Sequence, residues 1–192
     1  MSIDKKIPVG ISARHVHITR EHLDILYGPG YQLTFKKALG QPGQFAAEEV
    51  VDLVSEKGTF PKVRILGPER KQSQVEISLS DALKLKIAPP VRDSGDINGS
   101  APIRLVGPKG QLELREGVIV AARHIHMTPA DAAEFGVEDR QIVKVKCEGT
   151  RGLIFDNVLI RVSEQSLLEM HVDTDEGNAA MIKTGDFITI IK

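Results

Sequence analysis

The chain has 192 residues, 41% hydrophobic and 27% charged, with 25 basic residues against 26 acidic ones and a formal net charge of −1. That length suits one full core or two small ones, and the charge balance argues against a broad nucleic-acid footprint, which needs a basic surplus. One cysteine, Cys147, rules out an internal disulfide and fits a reducing compartment.

The start, Met1-Ser2-Ile3-Asp4-Lys5-Lys6-Ile7, has no long apolar run of the signal-peptide kind. No stretch approaches the roughly 20 apolar residues of a membrane helix. The expectation is a soluble cytoplasmic protein with neither a nucleic-acid nor a membrane partner. Along the chain, Ala13-Arg14-His15-Val16-His17-Ile18-Thr19 ends a strand, and Thr19-Arg20-Glu21-His22 opens a short helix. Glu48 to Ser55 is a further helical candidate, although Val50, Val51 and Val54 suit a strand as well. Val63-Arg64-Ile65-Leu66 reads as a strand stopped by Gly67-Pro68. Ser73 to Ser78 alternates around Val75 and Ile77, with Glu76 on the opposite face. Ser80 to Leu85 is a helix start, and Pro89 to Asp96 is the best loop.

Strand patterns resume at Ile103 to Val106, which Gly107-Pro108 ends, and at Gly117 to Val120. Then comes Ala122-Arg123-His124-Ile125-His126-Met127-Thr128, a near-copy of the first histidine segment. Thr128-Pro129-Ala130-Asp131 supplies a hydroxyl N-cap, a proline at the first helical position and an acid in the first turn. Further strands are predicted at Ile142 to Val145, Val158 to Val162 and Phe187 to Ile191. Many short strands with close turns suggest small barrels or sandwiches. The copied strand-histidine-helix segment suggests two related units facing each other across a pseudo-twofold, with ligands converging from both.

Five of the six histidines are His15, His17, His124, His126 and His171. Imidazole is the commonest ligand for borderline transition metals. In a strand, the two rings of His-x-His share a face, about 6–7 Å apart. Taken alone, Glu76 reads as a solvated or ion-paired carboxylate and His171 as a hydrogen-bonded polar residue. The duplicated pairs carry the metal reading. Five imidazoles and a carboxylate exceed the needs of one ion, since a catalytic zinc takes about three protein ligands. Two divalent ions suit the set. Zinc is the first choice, with cobalt or iron compatible. His22 reads as structural, and Cys147 as a buried thiol. Arg64, Arg70, Lys71, Arg92 and Arg104 lie around turns; an arginine fork matches phosphate oxygens, while each residue taken alone reads as an ordinary surface charge. Ser12, Lys37 and Asn178 lie in or near glycine-containing turns.

Six segments in order, Gly10 to His17, Gln41 to Glu48, Ser73 to Ser78, Arg123 to Met127, Ile154 to Val158 and Leu168 to Glu176, resemble the PduL-type phosphate propanoyltransferase family of phosphotransacylases. The resemblance runs from about Ile7 to the C-terminal strand. It implies a mostly β fold of two small interleaved β-barrels capped by short helices, with a dimetal site between them. It assigns residues 1–13 and 122–192 to one barrel, and residues 14–121 to the other with connecting helices and loops. It implies exchange of a short acyl group between CoA and phosphate: acyl-CoA plus phosphate in exchange for acyl phosphate plus CoA.

By the same resemblance, His15, His17, Glu76, His124, His126 and His171 hold the metals. Arg70 is the catalytic arginine on the phosphate side. Ser12, Lys37, Arg64, Leu66 and Asn178 line the substrate pocket. Microcompartment members carry an N-terminal targeting helix, and only about six residues precede Ile7-Pro8-Val9-Gly10 here. A free cytoplasmic enzyme is therefore expected. Two other functions remain open at this point: a dimetal hydrolase delivering water, and a non-catalytic metal- or CoA-binding barrel. Acetyl versus propanoyl preference is open too, and so is assembly as a homodimer.

Overall fold

Short β-branched segments between turns generate fourteen strands and four short helices among the described residues. A computed structural model describes residues 5–191. The expectation of no signal peptide rests mostly on Met1–Asp4, outside the described residues.

In chain order the elements begin with β1 (Lys6–Ser12), β2 (His15–His17), α1 (Arg20–Tyr27), β3 (Phe35–Ala38), β4 (Phe45–Val54) and β5 (Thr59–Gly67). Next come β6 (Gln74–Glu76), α2 (Leu79–Leu85), β7 (Val91–Arg92), β8 (Ala101–Val106), β9 (Gln111–Ala121) and β10 (His124–Met127). The chain continues through α3 (Pro129–Phe135), β11 (Ile142–Cys147), β12 (Leu153–Val162), β13 (Glu169–Asp173), α4 (Thr174–Ala180) and β14 (Phe187–Ile191). No described helix is long and apolar enough to cross a membrane.

The strands form two barrels. One is closed in the order β1-β13-β10-β12-β11-β14. The other runs β4-β5-β2-β6-β9-β8 and closes where β8 pairs with β4. In it, β3 is added along β4 and β7 along β9. Two compact units follow. One holds the described residues to Ser12, Gly40–Pro42 and the described residues from Ala122 onward; the other holds Ala13–Leu39 and Gly43–Ala121.

The pairing pattern is the same in both barrels. β2 lies parallel to β5 and antiparallel to β6, just as β10 lies parallel to β12 and antiparallel to β13. β6 lies parallel to β9, as β13 lies parallel to β1. So β1, the first strand in sequence, takes the place in its barrel that β9 takes in the other.

Alternation sorts each strand into a core face and an outer face. Val16, Ile65, Val75, Leu105 and Val118 fill one barrel with Leu23 and Leu53. Ile7, Val9, Ile125, Met127, Val145, Ile160 and Met170 fill the other. Each fully buried side chain of this size contributes roughly 1.5–3 kcal/mol, so each barrel has a core of its own.

Three local expectations change. Of Glu48 to Ser55, all but Ser55 belongs to strand β4, which ends at Val54, and none of it is helical. Ala47, Glu49, Val51 and Leu53 of β4 alternate as buried residues, but the charged Glu49 on the inner face and Val50 and Val54 on the other hide that alternation in the sequence. Helix α2 begins at Leu79, because Ser78 and not Ser80 is the N-cap. The Pro89 to Asp96 loop contains the two-residue strand β7.

Candidate active site

Each histidine pair leaves its barrel on the outer face of a strand whose intervening residue faces the core. Val16 and Ile125 point inward; His15, His17, His124 and His126 point outward. The rings are nonetheless shielded: His15 is 6% exposed, His17 3% and His124 7%. At that depth an unpaired polar nitrogen is costly.

Backbone carbonyls set the ring orientation. His15 Nδ1 donates to the Ala13 carbonyl at 2.9 Å, and His124 Nδ1 to the Ala122 carbonyl at 2.8 Å. A carbonyl only accepts, so the proton sits on Nδ1 and the Nε2 lone pair points away from the strand. In both pairs the two Nε2 atoms lie 3.1 Å apart.

Register brings the third member. Glu76 lies opposite His15 across β2–β6, and His171 lies opposite His124 across β10–β13. Glu76 reaches His15 Nε2 at 3.5 Å and His17 Nε2 at 3.8 Å. The His171 ring centroid is 5.3 Å from that of His124 and 4.9 Å from that of His126. The expected ligands thus gather as two triads, His15-His17-Glu76 and His124-His126-His171, with ligand atoms within 4.8 Å of one another in each.

A divalent ion fits this donor chemistry. Three nitrogen or oxygen donors per triad match a catalytic metal that keeps an open position. Carbonyl-anchored imidazoles are the usual second shell of such ions. The Nδ1 of His17 is buried without a hydrogen-bond partner, so its ring is held by packing and by what its Nε2 meets, His15 and Glu76.

The electrostatics agree with sites built for a cation. Burial, aided by the charges of His15 and Arg70, pushes the His17 pKa down to about 2. Burial opposes ionisation of Glu76, but the His15 charge and hydrogen bond outweigh it and hold the carboxyl well below its usual range. His15 is burdened by the same burial, yet Glu76 raises its pKa. Burial, then His124, His171 and Arg161, lowers His126 to about 3. The imidazoles of His17 and His126 are therefore neutral and ligand-competent at ordinary pH.

Arg70 lies beside the Glu76 triad. Its backbone N–H donates to the Ile18 carbonyl at 2.8 Å, tying it to the end of β2. Its guanidinium donates to Ser94 Oγ at 3.4 Å and Gln44 Oε1 at 3.3 Å. Ser94 Oγ in turn donates to Glu76 at 2.8 Å. Arg64 and Leu66 are the β5 partners of His15 and His17, so they share the outer face with them. The Arg64 guanidinium donates to the Ala47 and Glu48 carbonyls. Ser12 is on β1 opposite Asp173, Asn178 is exposed on α4, and Lys37 is exposed on β3.

Several residues were not singled out from the sequence. Ser94 bridges Glu76 to Arg70, Gln74 donates to both Glu76 and Ser94, and Gln44 accepts from Arg70. Glu169 accepts from His171 Nε2 at 2.7 Å. Both Gln74 and Glu169 lie two residues before a ligand on the same strand, a spacing that the alternation could have flagged. The arginine of each Ala-Arg-His-x-His segment also has a repeated place. Arg14 bonds Asp81 and stacks over Phe60 at 4.4 Å. Arg123 bonds Glu176 and lies over Phe155 at 5.0 Å. His22 bonds Ser73 Oγ at 2.7 Å. Cys147 is buried, and burial pushes its thiol up to about 11.

Fold and site define a two-barrel protein with a nitrogen-rich, three-donor group on the outer face of each barrel. A sequence model of the phosphate propanoyltransferase family matches residues 8–183, and the chain belongs to that family. It is an acyltransferase of the phosphotransacylase type. The chain is 57% identical to a phosphate propanoyltransferase of Thermotoga maritima, over 97% of this chain and 89% of the relative. It is 54% identical to one of Lachnoclostridium phytofermentans, over 96% and 87%. Its identity to one of Salmonella typhimurium is also 54%, over 92% and 84%.

Proposed function

We propose that the chain exchanges a short acyl group, acetyl or propanoyl, between CoA and inorganic phosphate by direct transfer, with two divalent ions, zinc first, held one in each triad. The observation that carries this reading is Arg70, placed beside the Glu76 triad and joined to it through Ser94. A planar, permanently charged fork next to a group of metal-type donors suits phosphate oxygens, which supports this reading.

When bound, the ions supply Lewis acidity for phosphate and thioester oxygens and an affinity for the departing thiolate. The chain's own residues do the positioning. Arg70 gives up long bonds to two neutral side chains for charge-assisted bonds to phosphate oxygens. Held this way, a phosphate oxygen attacks the acyl carbon while the guanidinium offsets the charge of the tetrahedral intermediate, which collapses by breaking the C–S bond to give acyl phosphate and the CoA thiolate. Cys147 takes no part as a nucleophile, since it is buried and its thiolate is disfavoured. No acyl-enzyme is needed. Ser12, Lys37, Arg64, Leu66 and Asn178 are assigned to the substrate pocket. A cytoplasmic setting suits a chain whose lone cysteine cannot form an internal disulfide.

The test is CoA release from acetyl-, propanoyl- and butanoyl-CoA, with and without phosphate. The expected result is phosphate-dependent release with one acyl phosphate formed per CoA, fastest for the two shorter chains. Release without phosphate would make the protein a hydrolase. Bound metal with no turnover on any thioester would leave only a binding barrel.

A further inference from the structure

Each triad has a neighbour whose hydrogen-bonding polarity is matched to the ligand it touches. In β13, Glu169 lies two residues before His171, and its Oε2 meets His171 Nε2 at 2.7 Å. In β6, Gln74 lies two residues before Glu76, and its amide donates to Glu76 Oε1 at 2.7 Å. These are equivalent places: Gln74 pairs with His17, and Glu169 pairs with His126. An imidazole N–H needs an acceptor and meets a carboxylate. A carboxylate needs a donor and meets an amide.

We infer that Glu169 and Gln74 are positioning residues, which fix the third ligand of each triad from the same strand. A carboxylate only accepts, so His171 Nε2 is the donor in this contact, which leaves Nδ1 as the ring nitrogen that can serve a ligand. Gln74 cannot turn its amide around freely, because its Oε1 accepts from the Gly95 N–H at 2.7 Å.

The structure around Glu169 is built to keep it there. Gly40–Pro42 leaves its chain neighbours and belongs to the unit of β13. The Gln41 side chain fastens it, donating to the Leu167 carbonyl at 2.9 Å and accepting from the Leu167 N–H at 3.1 Å. A Cβ on Gly40 would stand 2.3 Å from Glu169 Oε2. A Cβ on Gly10, the β1 partner of His171, would stand 2.9 Å from the same carboxyl. Both distances lie within van der Waals contact. Two sequence-distant glycines therefore make the space that this carboxylate fills.

The inference rests on the metal reading proposed above, and zinc retention against a competing chelator tests both separately. Outer-shell partners of this kind change metal affinity by roughly 10–100-fold. The parent should hold two ions. Glu169→Ala should release one of them at about 10–100-fold lower chelator and keep the other. Glu169→Gln keeps an acceptor oxygen and should fall between parent and Ala. Gly40→Ala, which displaces the carboxylate without altering it, should behave like Glu169→Ala. Gln74→Met should loosen the other ion instead. Melting of each metal-free variant is recorded alongside. If Glu169→Ala and Glu169→Gln both keep two ions at parental affinity, the positioning role is wrong. If Glu169→Ala loosens both ions equally and lowers the melting point, Glu169 is only structural. A parent that binds no zinc overturns the triads as metal sites, and this role with them.

Discussion

Arg70 and the two depressed histidines show how single side chains carry the proposed chemistry. Arg70→Ala should raise the apparent KM for phosphate by about tenfold or more, the scale of a lost charge-assisted bond. Arg70→Lys should restore only part of it, since a point charge replaces a planar fork. Bound zinc should be unchanged in both. Arg151→Ala, in an exposed turn, should be nearly silent. Phosphate titration at saturating acetyl-CoA decides it, and an unaltered phosphate dependence in Arg70→Ala removes that residue from the site. A second expectation concerns pH. His126 is held neutral down to about 3 from an ordinary 6.5. The unfolded chain therefore binds more protons below pH 6.5, and the metal-free protein loses stability as pH falls through that window. His17 acts with the same sign. His15, with its pKa raised, acts oppositely: its contribution is present at low pH and lost as pH rises. Metal-free His126→Gln should thus show a shallower fall in melting point between about pH 7 and pH 5 than the metal-free parent. Equal slopes would mean that His126 is not buried neutral. The four paired histidines were legible as ligand candidates because a duplicated His-x-His is rare and strand alternation fixes its face; Glu76 and His171 stood out only beside those pairs and through the family resemblance. Ser94 was not, because nothing in Asp93-Ser94-Gly95 says that a loop serine will reach Glu76.

The strand-to-helix junctions recur four times, each with a side-chain N-cap: Thr19, Ser78, Thr128 and Asp173. Thr19 and Thr128 were readable from a hydroxyl ahead of an acid-bearing turn. Helix α4 was missed, because Thr174-Asp175-Glu176-Gly177-Asn178 contains weak helix formers. Gly177 is there for packing: a Cβ on it would meet Ile11 at 2.7 Å. The caps of α2 and α3 share one design, an acid at the third helical position bonding back to the N-cap N–H. They differ in what else the acid holds. Asp131 bonds within its box. Asp81 also accepts two bonds from Arg14, at 2.9 and 2.6 Å, and is buried. Asp131→Ala should therefore cost about 1 kcal/mol, and Asp81→Ala about 3 kcal/mol. At about 3 °C per kcal/mol for a chain of this size, thermal melting separates the two. Equal losses would show that the Arg14 bonds contribute nothing beyond the cap.

At the scale of the whole chain, one topology is written twice, and the second copy is cut open. The order β2-α1-β4-β5-β6-α2-β8-β9 recurs as β10-α3-β11-β12-β13-α4-β14 and is completed by β1. The repeated histidine segment announced two units. That β1 completes the later one follows from pairings no local pattern reports, Val9 with Met170 and Ile7 with Ile188. In the uncut barrel, β8 and β9 are antiparallel neighbours joined by Gly107-Pro108-Lys109-Gly110, with Val106 opposite Gln111. β14 and β1 are antiparallel neighbours as well, with Thr189 opposite Lys6. A hairpin turn can join such strands. A permuted chain that starts at Ala13 and carries Lys5–Ser12 after Ile191, through a Gly-Pro-Lys-Gly turn, should therefore fold. Its two barrels keep their cores, since Ile7 and Val9 still enter theirs. Closing β1 by a short turn also lowers the loop entropy of that barrel. Melting should be cooperative and within about 1 kcal/mol of the parent, about 3 °C. Loss of far-ultraviolet β signal, or a melting point tens of degrees lower, would show that β1 needs its natural connection to β2 and is not the counterpart of β9.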